Sequence, residues 1–409
     1  MRRHLDAVSP GWVEALPLGP LQEGMYYQSV VDAAADAYHV QHRFTFASDQ
    51  QVSGDAVQAA AQILVQRHPN LRAGFTNLAG GQPVQFVPRQ ATVPYREVEY
   101  GEEFHRLAAE VAAAEYAAPF DLADPPLLRV AVVRGPDGRS ELIVTHHHLL
   151  ADGWSHGLLF AELFALYERA RDGVELEALD HVLPQPADFR QYLRWAASAD
   201  RAAAESAWRN YLSDLASPTL LAGERTPDSQ VKESRISESP VVVSADTTAQ
   251  LRRLASDCGT TLSTVVATAW ALTLRTLTGS DDVVFGATVS GRPADVEGAD
   301  RMIGLLLNTL PIRVKGKPGE RLTDLLRRVF QEQGALTPHQ HLASDTFSDQ
   351  QVIQRCSTPC MFSGTCHAMR KVGCQLSRQA VSQPPRQLMP RITPSPLTST
   401  LVTATDHCT

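Results

Sequence analysis

Apolar residues recur every three to four positions in some stretches of the chain and form short, dense runs in others. Residues 55–68 and 105–118 have the first pattern, which predicts amphipathic helices, and a proline follows each of them. Residues 127–133 and 141–145 have the second pattern and are separated by the turn sequence G-P-D-G. We therefore predict two consecutive strands there.

Helical spacing returns directly after the second of these strands. Residues 155–170 form a strongly amphipathic stretch, for which Ser155 is the expected N-cap. Residues 189–215 are predicted as one further helix, with Trp195 and Trp208 as packing anchors. The polar stretch at 221–240 is expected to be a linker or an exposed loop.

A second series of elements begins at residue 241. Strands are predicted at residues 241–243, 283–289 and 308–314, and helices at residues 247–258, 261–277 and 322–333. Each half of the chain combines strands with helices, which predicts an α/β fold of two lobes. We expect an N-terminal lobe over residues 14–178 and a C-terminal lobe over residues 179–344.

The regular pattern ends near residue 344. Over residues 345–409 proline, serine, threonine and cysteine dominate and no glutamate occurs, which predicts a disordered or aberrant tail. Five of the six cysteines lie in it, namely Cys356, Cys360, Cys366, Cys374 and Cys408. Their spacing matches no zinc motif, so no metal ligands are assigned.

Composition narrows the class of protein. A chain of 409 residues with 44% hydrophobic and 20% charged residues suits a globular protein of two joined lobes. A net charge of −8 without a long basic stretch disfavours nucleic acid as a partner. No apolar run reaches the ~18–20 residues that cross a bilayer. We find no secretory signal either, so a cytoplasmic setting away from membranes is expected.

Three consecutive histidines end the second predicted strand and precede an Asp-Gly turn. In extended geometry His146 and His148 point to one face and His147 to the other, so the three cannot all bind one metal ion. A histidine there can accept a proton, and N–H groups at the next helix start can stabilise an oxyanion. Since the chain lacks the G-x-S-x-G and phosphate-loop motifs, direct acyl transfer between two bound substrates is favoured. The alternative is that the histidines only fill the strand end and that Asp152 caps the helix.

The stretch H-H-L-L-A-D-G at residues 147–153 resembles the signature of the condensation domains of nonribosomal peptide synthetases. Four further stretches resemble that family's motifs in the same order. They are P-L-Q-E-G-M at 20–25, R-H-P-N-L-R-A-G-F at 67–75, D-F at 188–189 with Trp195, and G-A-T-V-S-G-R-P at 286–293 followed by I-G-L-L-L-N-T-L-P at 303–311. The resemblance covers about residues 16–342.

The resemblance implies two chloramphenicol acetyltransferase-like lobes in a V-shape with a tunnel between them. It implies amide bond formation between a carrier-bound acyl or peptidyl thioester and a carrier-bound aminoacyl acceptor, as in the biosynthesis of antibiotics and other secondary metabolites. Such a domain has no cofactor of its own, because its substrates arrive on phosphopantetheine arms. The implied partners are the upstream and downstream peptidyl carrier proteins and an adjacent adenylation domain, and a monomer is expected.

Residue roles follow from the same resemblance. It makes His148 the catalytic histidine, which either accepts the proton of the amine or orients the amine. Gly153 offers its N–H to the developing oxyanion, and its missing side chain allows close approach. His147 is structural, and Asp152 pairs with Arg292 to tie the lobes together at the site.

Two arginines and the tail leave alternatives open. Arg67 and Arg72 either stabilise the floor of the first lobe or form a solvated helix end. Family members continue with strands and helices that complete the second lobe, where this chain has its cysteine- and proline-rich tail. An inactive truncated fragment and a free-standing acyltransferase acting on a small alcohol or amine are therefore the alternative functions.

Overall fold

The computed structural model describes residues 1–342 apart from residues 32–37, 49–51, 100–102, 136–137, 176–177, 179–180, 182, 216, 218 and 221–242. The expected linker at 221–240, most of the predicted strand at 241–243 and the tail at 345–409 lie outside the described residues. The described residues fall into two compact units. The first comprises Met1–Ser198 and Arg292–Leu306, and the second comprises Ala199–Gly291 and the chain from residue 307 to 342.

The first unit contains two sheets. Its strands are β1 (Trp12–Leu16), β2 (His39–Phe46), β3 (Gly74–Asn77), β4 (Pro83–Pro88), β5 (Tyr95–Glu99), β6 (Leu128–Arg134) and β7 (Ser140–His147). Its helices are α1 (Arg2–Val8), α2 (Pro20–Val31), α3 (Gly54–Arg67), α4 (Phe104–Ala117), α5 (Gly153–Arg171) and α6 (Phe189–Ser198). One sheet has the order β2-β7-β6-β5, with β7 antiparallel to β2 and β6 and with β5 parallel to β6, and the other has the order β1-β4-β3.

The two faces of the four-stranded sheet are covered by different helices. β7 is buried along its whole length, as an inner strand covered on both faces must be. Leu142 and Val144 belong to the core cluster that holds apolar residues of α3 and α5, whereas Ile143 packs with α4. The side chains of β7 therefore alternate between the two faces with a period of two.

Two helix starts differ from the sequence prediction. The N-cap of α5 is Asp152, whose side chain accepts a hydrogen bond from the N–H of Ser155 at 2.8 Å, so the assignment of Ser155 as N-cap is wrong. The prediction of one helix over residues 189–215 is also wrong, because this stretch forms two helices. Asp200 caps the second of them, α7 (Arg201–Leu212), by accepting from Ala203 N–H at 2.9 Å.

The first unit extends past the lobe boundary expected at residue 178. α6 packs through Phe189 and Tyr192 on Met302 and Leu306. These last two residues belong to the first unit, although the preceding residues Ala199–Gly291 belong to the second. The segment Arg292–Leu306 therefore belongs to the first unit, although the sequence placed it in the second lobe.

The described residues of the second unit form one strand pair and four α-helices. Its elements are α7, α8 (Ala245–Asp257), α9 (Leu262–Thr278), β8 (Asp282–Val289), β9 (Asn308–Lys315) and α10 (Leu322–Leu336). β8 and β9 pair antiparallel over eight residues each, and α9 and α10 pack on them through a shared apolar cluster. α9 ends at Gly279, which takes the left-handed conformation (φ 69°) that glycine adopts without strain. Within the described residues no helix is both long and apolar enough to span a membrane.

Candidate active site

The histidine signature lies where β7 turns into α5. β7 ends at His147, a short turn follows, and α5 begins at Gly153. Three backbone hydrogen bonds fix the turn. The N–H of His148 donates to the Tyr38 carbonyl at 2.8 Å, that of Leu150 to the His147 carbonyl at 3.1 Å, and that of Asp152 to the Gly304 carbonyl at 3.0 Å. The side chains on this turn are therefore presented from a rigid backbone.

His147 faces the α4 side of the sheet and is fully buried. Its Nδ1 accepts the N–H of Leu149 at 3.2 Å, and its Nε2 lies 3.4 Å from the hydroxyl of Ser29. Its ring also lies 6.2 Å from that of His39, the residue opposite it on β2. Both ring nitrogens thus have partners inside the fold, which suits the structural role expected from the sequence.

His148 has a different environment. Its ring lies 6.3 Å from the ring of His156 on α5, and the ring of His146 lies 4.9 Å from the same ring. His146 and His148 therefore point to one face of the strand, as predicted. The residue is half-buried, and its Nδ1 makes no hydrogen bond to any described residue. Burial lowers the pKa of His148 below its ordinary value of 6.5. The imidazole is therefore neutral near pH 7 and has a lone pair with which to accept a proton.

Asp152 is fully buried, and both of its carboxylate oxygens accept hydrogen bonds. Its Oδ1 lies 3.2 Å from the Arg292 guanidinium and accepts from Ser155 N–H, and its Oδ2 accepts from Leu306 N–H at 2.9 Å. Arg292 also donates to the Met302 carbonyl at 2.9 Å. The structure brings Asp152 and Arg292 together, as the resemblance implied, but both residues lie in the first unit, so the expectation that the pair joins the two lobes is wrong. The structure also supports the alternative that Asp152 caps α5.

Gly153 is the first residue of α5. The first N–H groups of a helix have no carbonyl partner inside it, and they lie at its positive end. A Cβ built on Gly153 would meet no atom within 4 Å, so the protein itself leaves the space beside this backbone open.

Three polar residues that sequence reasoning did not assign to the site make hydrogen bonds to the turn or to residues 303–304 beside it. Gln22 donates to the Leu149 carbonyl at 2.8 Å, and Asn70 donates to the Leu150 carbonyl at 3.3 Å and to the Ile303 carbonyl at 2.9 Å. The Ser155 hydroxyl lies 3.0 Å from the N–H of Gly304 and donates to that residue's carbonyl at 2.8 Å. Gln22 and Asn70 stand inside the stretches at residues 20–25 and 67–75, so those stretches were the available signal.

Arg67 does not form a solvated helix end. Its side chain is fully buried, donates to the Pro184 carbonyl at 2.6 Å and lies 3.4 Å from the Glu162 carboxylate, which also contacts His68 at 2.9 Å. Arg72 donates to the Pro88 carbonyl at 3.0 Å. Both arginines brace the backbone of the first unit.

Comparison with known proteins assigns the chain to a family. The family model described as "Condensation domain" matches residues 13–355. The chain is 30% identical over 314 residues to bacitracin synthase 3 of Bacillus licheniformis, a match that covers 76% of this chain and 5% of that protein. It is 29% identical over 349 residues to tyrocidine synthase 2 of Brevibacillus parabrevis, a match that covers 83% of this chain and 9% of that protein. The chain thus spans a small part of the curated relatives it matches.

Solved structures show the same fold. The chain is similar to the first condensation domain of the calcium-dependent antibiotic synthetase, with a TM-score of 0.63, 21% identity, and coverage of 83% of this chain and 77% of that chain. It is similar to the condensation domain of the monacolin K polyketide synthase MokA, with a TM-score of 0.65, 16% identity, and coverage of 87% and 79%. These likenesses confirm the predicted fold class.

Proposed function

Since the chain belongs to the condensation-domain family, whose members are acyltransferases that form amide bonds, we propose that His148 and Gly153 carry this reaction in this protein. The observation behind the proposal is their placement. A half-buried imidazole and the open N–H end of α5 lie five residues apart on one rigid turn.

The reaction joins an amine to a thioester carbon. A free α-amine has a pKa near ~8 and must lose a proton as the new bond forms. His148 accepts this proton while the N–H of Gly153 stabilises the oxyanion of the tetrahedral intermediate. The C–S bond then breaks, the carbonyl re-forms, and the proton passes to the departing thiolate. Asp152 and Arg292 position the turn and do not touch the reacting atoms.

Condensation domains act on carrier-bound substrates without a cofactor of their own, and in synthetases they work beside carrier and adenylation domains. For this chain the proposed partners are an upstream and a downstream peptidyl carrier protein, each presenting its substrate on a phosphopantetheine arm, and an adenylation domain that loads the amino acid. The cytoplasmic setting and the monomeric state expected from the sequence stay predictions.

A condensation assay with two loaded carrier proteins tests the proposal. His148→Ala should lower the rate of amide formation by at least about 100-fold, the contribution of a positioned general base. His148→Asn should not restore the rate, because an amide can orient the amine but cannot take its proton. His105→Ala, which removes an exposed imidazole on α4, is the matched control and should keep the wild-type rate.

The other outcomes have defined meanings. An unchanged rate in His148→Ala would refute the assignment, and a restored rate in His148→Asn would make His148 a positioning residue. No amide formation by the wild-type chain would favour the inactive truncated fragment. Acyl transfer to a small soluble amine without a carrier protein would favour a free-standing acyltransferase.

A further inference from the structure

Three histidines from distant parts of the first unit meet beside the β7–α5 junction. They are His42 on β2, His146 on β7 and His156 on α5, and one ring nitrogen of each lies within 4.8 Å of the others. The ring of His156 lies 4.6 Å from that of His42 and 4.9 Å from that of His146. His148 is not one of the three, so this cluster is distinct from the proposed catalytic group.

The strand register explains the meeting. His42 pairs with Val144 and His146 pairs with Val40, so the two histidines are diagonal neighbours on one face of the sheet. This is the face that α5 covers, and His156 lies in the first turn of α5. All three are therefore held by regular secondary structure, which is the rigid kind of support that a metal site requires.

One buried ring nitrogen of each of the three histidines lacks a hydrogen-bond partner. The Nε2 atoms of His42, His146 and His156 are all buried, and none makes a hydrogen bond to a described residue. Phe160 packs against the ring of His42 at 4.6 Å and offers no polar atom. Buried polar atoms without partners cost free energy, and a single ion between the three rings would satisfy all of them.

The tautomer of His146 suits ligation. The Nδ1 of His146 lies 3.0 Å from the His147 carbonyl, which can only accept, so Nδ1 carries the proton and Nε2 carries the lone pair. A metal ion binds imidazole through such a lone pair.

We propose that His42, His146 and His156 bind one divalent transition-metal ion through their Nε2 atoms, with zinc as the probe. Imidazole is a preferred ligand of zinc, copper, nickel and iron, and three histidines leave one coordination position open. A tetrahedral zinc holds its nitrogens roughly 3.3 Å apart, so atoms that lie up to 4.8 Å apart must close by about 1.5 Å. Binding therefore requires the three side chains to rotate toward one another. The bound ion would join β2, β7 and α5 beside the catalytic turn.

Metal binding by the full chain tests the proposal without any condensation assay, so its failure is separate from that of the proposed function. The chain is freed of metal with a chelator and titrated with zinc, followed by calorimetry and by the melting temperature. Zinc-edge X-ray absorption is needed because the five cysteines after residue 345 are competing ligands. Nitrogen ligands lie at about 2.0–2.1 Å from zinc and sulfur ligands at about 2.3 Å.

The expected result is one equivalent of zinc with nitrogen or oxygen ligands only and a melting temperature that rises with zinc concentration. His42→Gln and His156→Gln should each weaken binding at least tenfold, whereas His105→Gln, the exposed control on α4, should bind as the wild type does. If His42→Gln does not fold without metal, His42→Leu replaces it, because leucine can pack against Phe160. Absence of binding, a sulfur shell at one equivalent, or unchanged affinity in both cluster variants would overturn the proposal.

Discussion

The carboxylate of Asp152 lies 3.2 Å from the guanidinium of Arg292, and their side chains are 0% and 5% exposed. The two residues are 140 positions apart in the chain but belong to the same compact unit. The remaining hydrogen-bonding capacity of Asp152 is used by the N–H groups of Ser155 and Leu306. A buried ion pair is tolerated only when its lone pairs and protons are satisfied in this way. Asp152 thus joins the start of α5 to the returning segment Arg292–Leu306.

Asp152→Ala should therefore reduce stability before it affects chemistry. Removing one partner of a buried pair leaves the other charge uncompensated, which costs about 3–5 kcal/mol. We expect the free energy of unfolding, measured with urea, to fall by that amount. Asp172→Ala is the matched control, because that aspartate is 55% exposed at the other end of α5 and should change stability by no more than about 0.5 kcal/mol. A loss below ~1 kcal/mol in Asp152→Ala would contradict the structural role of the pair.

Gly153→Ala distinguishes an effect on the condensation rate from an effect on stability. A Cβ at Gly153 meets no protein atom within 4 Å, and replacing glycine by alanine where the backbone allows it stabilises a protein by about 0.4–1 kcal/mol, because the unfolded chain loses freedom. The variant should thus be at least as stable as the wild type. If an oxyanion approaches this N–H, the added methyl group should slow condensation at least about tenfold, which corresponds to ~1.4 kcal/mol.

Gly157→Ala supplies the control for that experiment. Gly157 lies one turn further along α5, is exposed, and also has no atom within 4 Å of a built Cβ. Gly157→Ala should also be at least as stable as the wild type, without any change in rate. Equal rates in the wild type and in both variants would show that Gly153 is not approached by the reacting atoms.

Helices with clear spacing and stop signals could be predicted closely from the sequence. The helices predicted at 55–68, 105–118 and 261–277 correspond to α3, α4 and α9 with ends displaced by one residue. The start of α5 was harder, because Asp152 and Ser155 are both good N-cap residues. Only the geometry of the turn shows that Asp152 accepts the hydrogen bond and Ser155 donates it.

Contacts between distant strands could not be predicted in the same way. The sequence did not mark β2 as a strand, and the position of His42 depends on the register in which β2 pairs with β7. A shift of that register by one residue would turn His42 to the opposite face and abolish the histidine cluster. The pairing of Asp152 with Arg292 was anticipated only through the family resemblance, because no periodicity relates positions 140 residues apart.

Glu162 provides a pH-dependent test of how Arg67 is stabilised. Burial alone would raise the pKa of Glu162, but the hydrogen bond from His68 and the positive charge of Arg67 outweigh it and hold the pKa below 4.5. A carboxylate with a lowered pKa contributes stability that is fully present above the unfolded-state pKa of about 4.5. That contribution is lost as the pH falls through the lower value of the folded state.

Glu162→Gln should therefore reduce the free energy of unfolding by about 1–3 kcal/mol at pH ~6, because the charge-assisted hydrogen bonds are lost. The difference between the wild type and the variant should shrink as the pH falls below about 4.5, because the wild-type carboxylate then takes up a proton that glutamine cannot. Urea unfolding at pH ~6 and pH ~3.5 measures both differences. Glu168→Gln, an exposed carboxylate on the same helix, should differ little from the wild type at either pH. A difference for Glu162→Gln that stays constant down to pH ~3 would mean that the charge of Glu162 does not stabilise the buried Arg67.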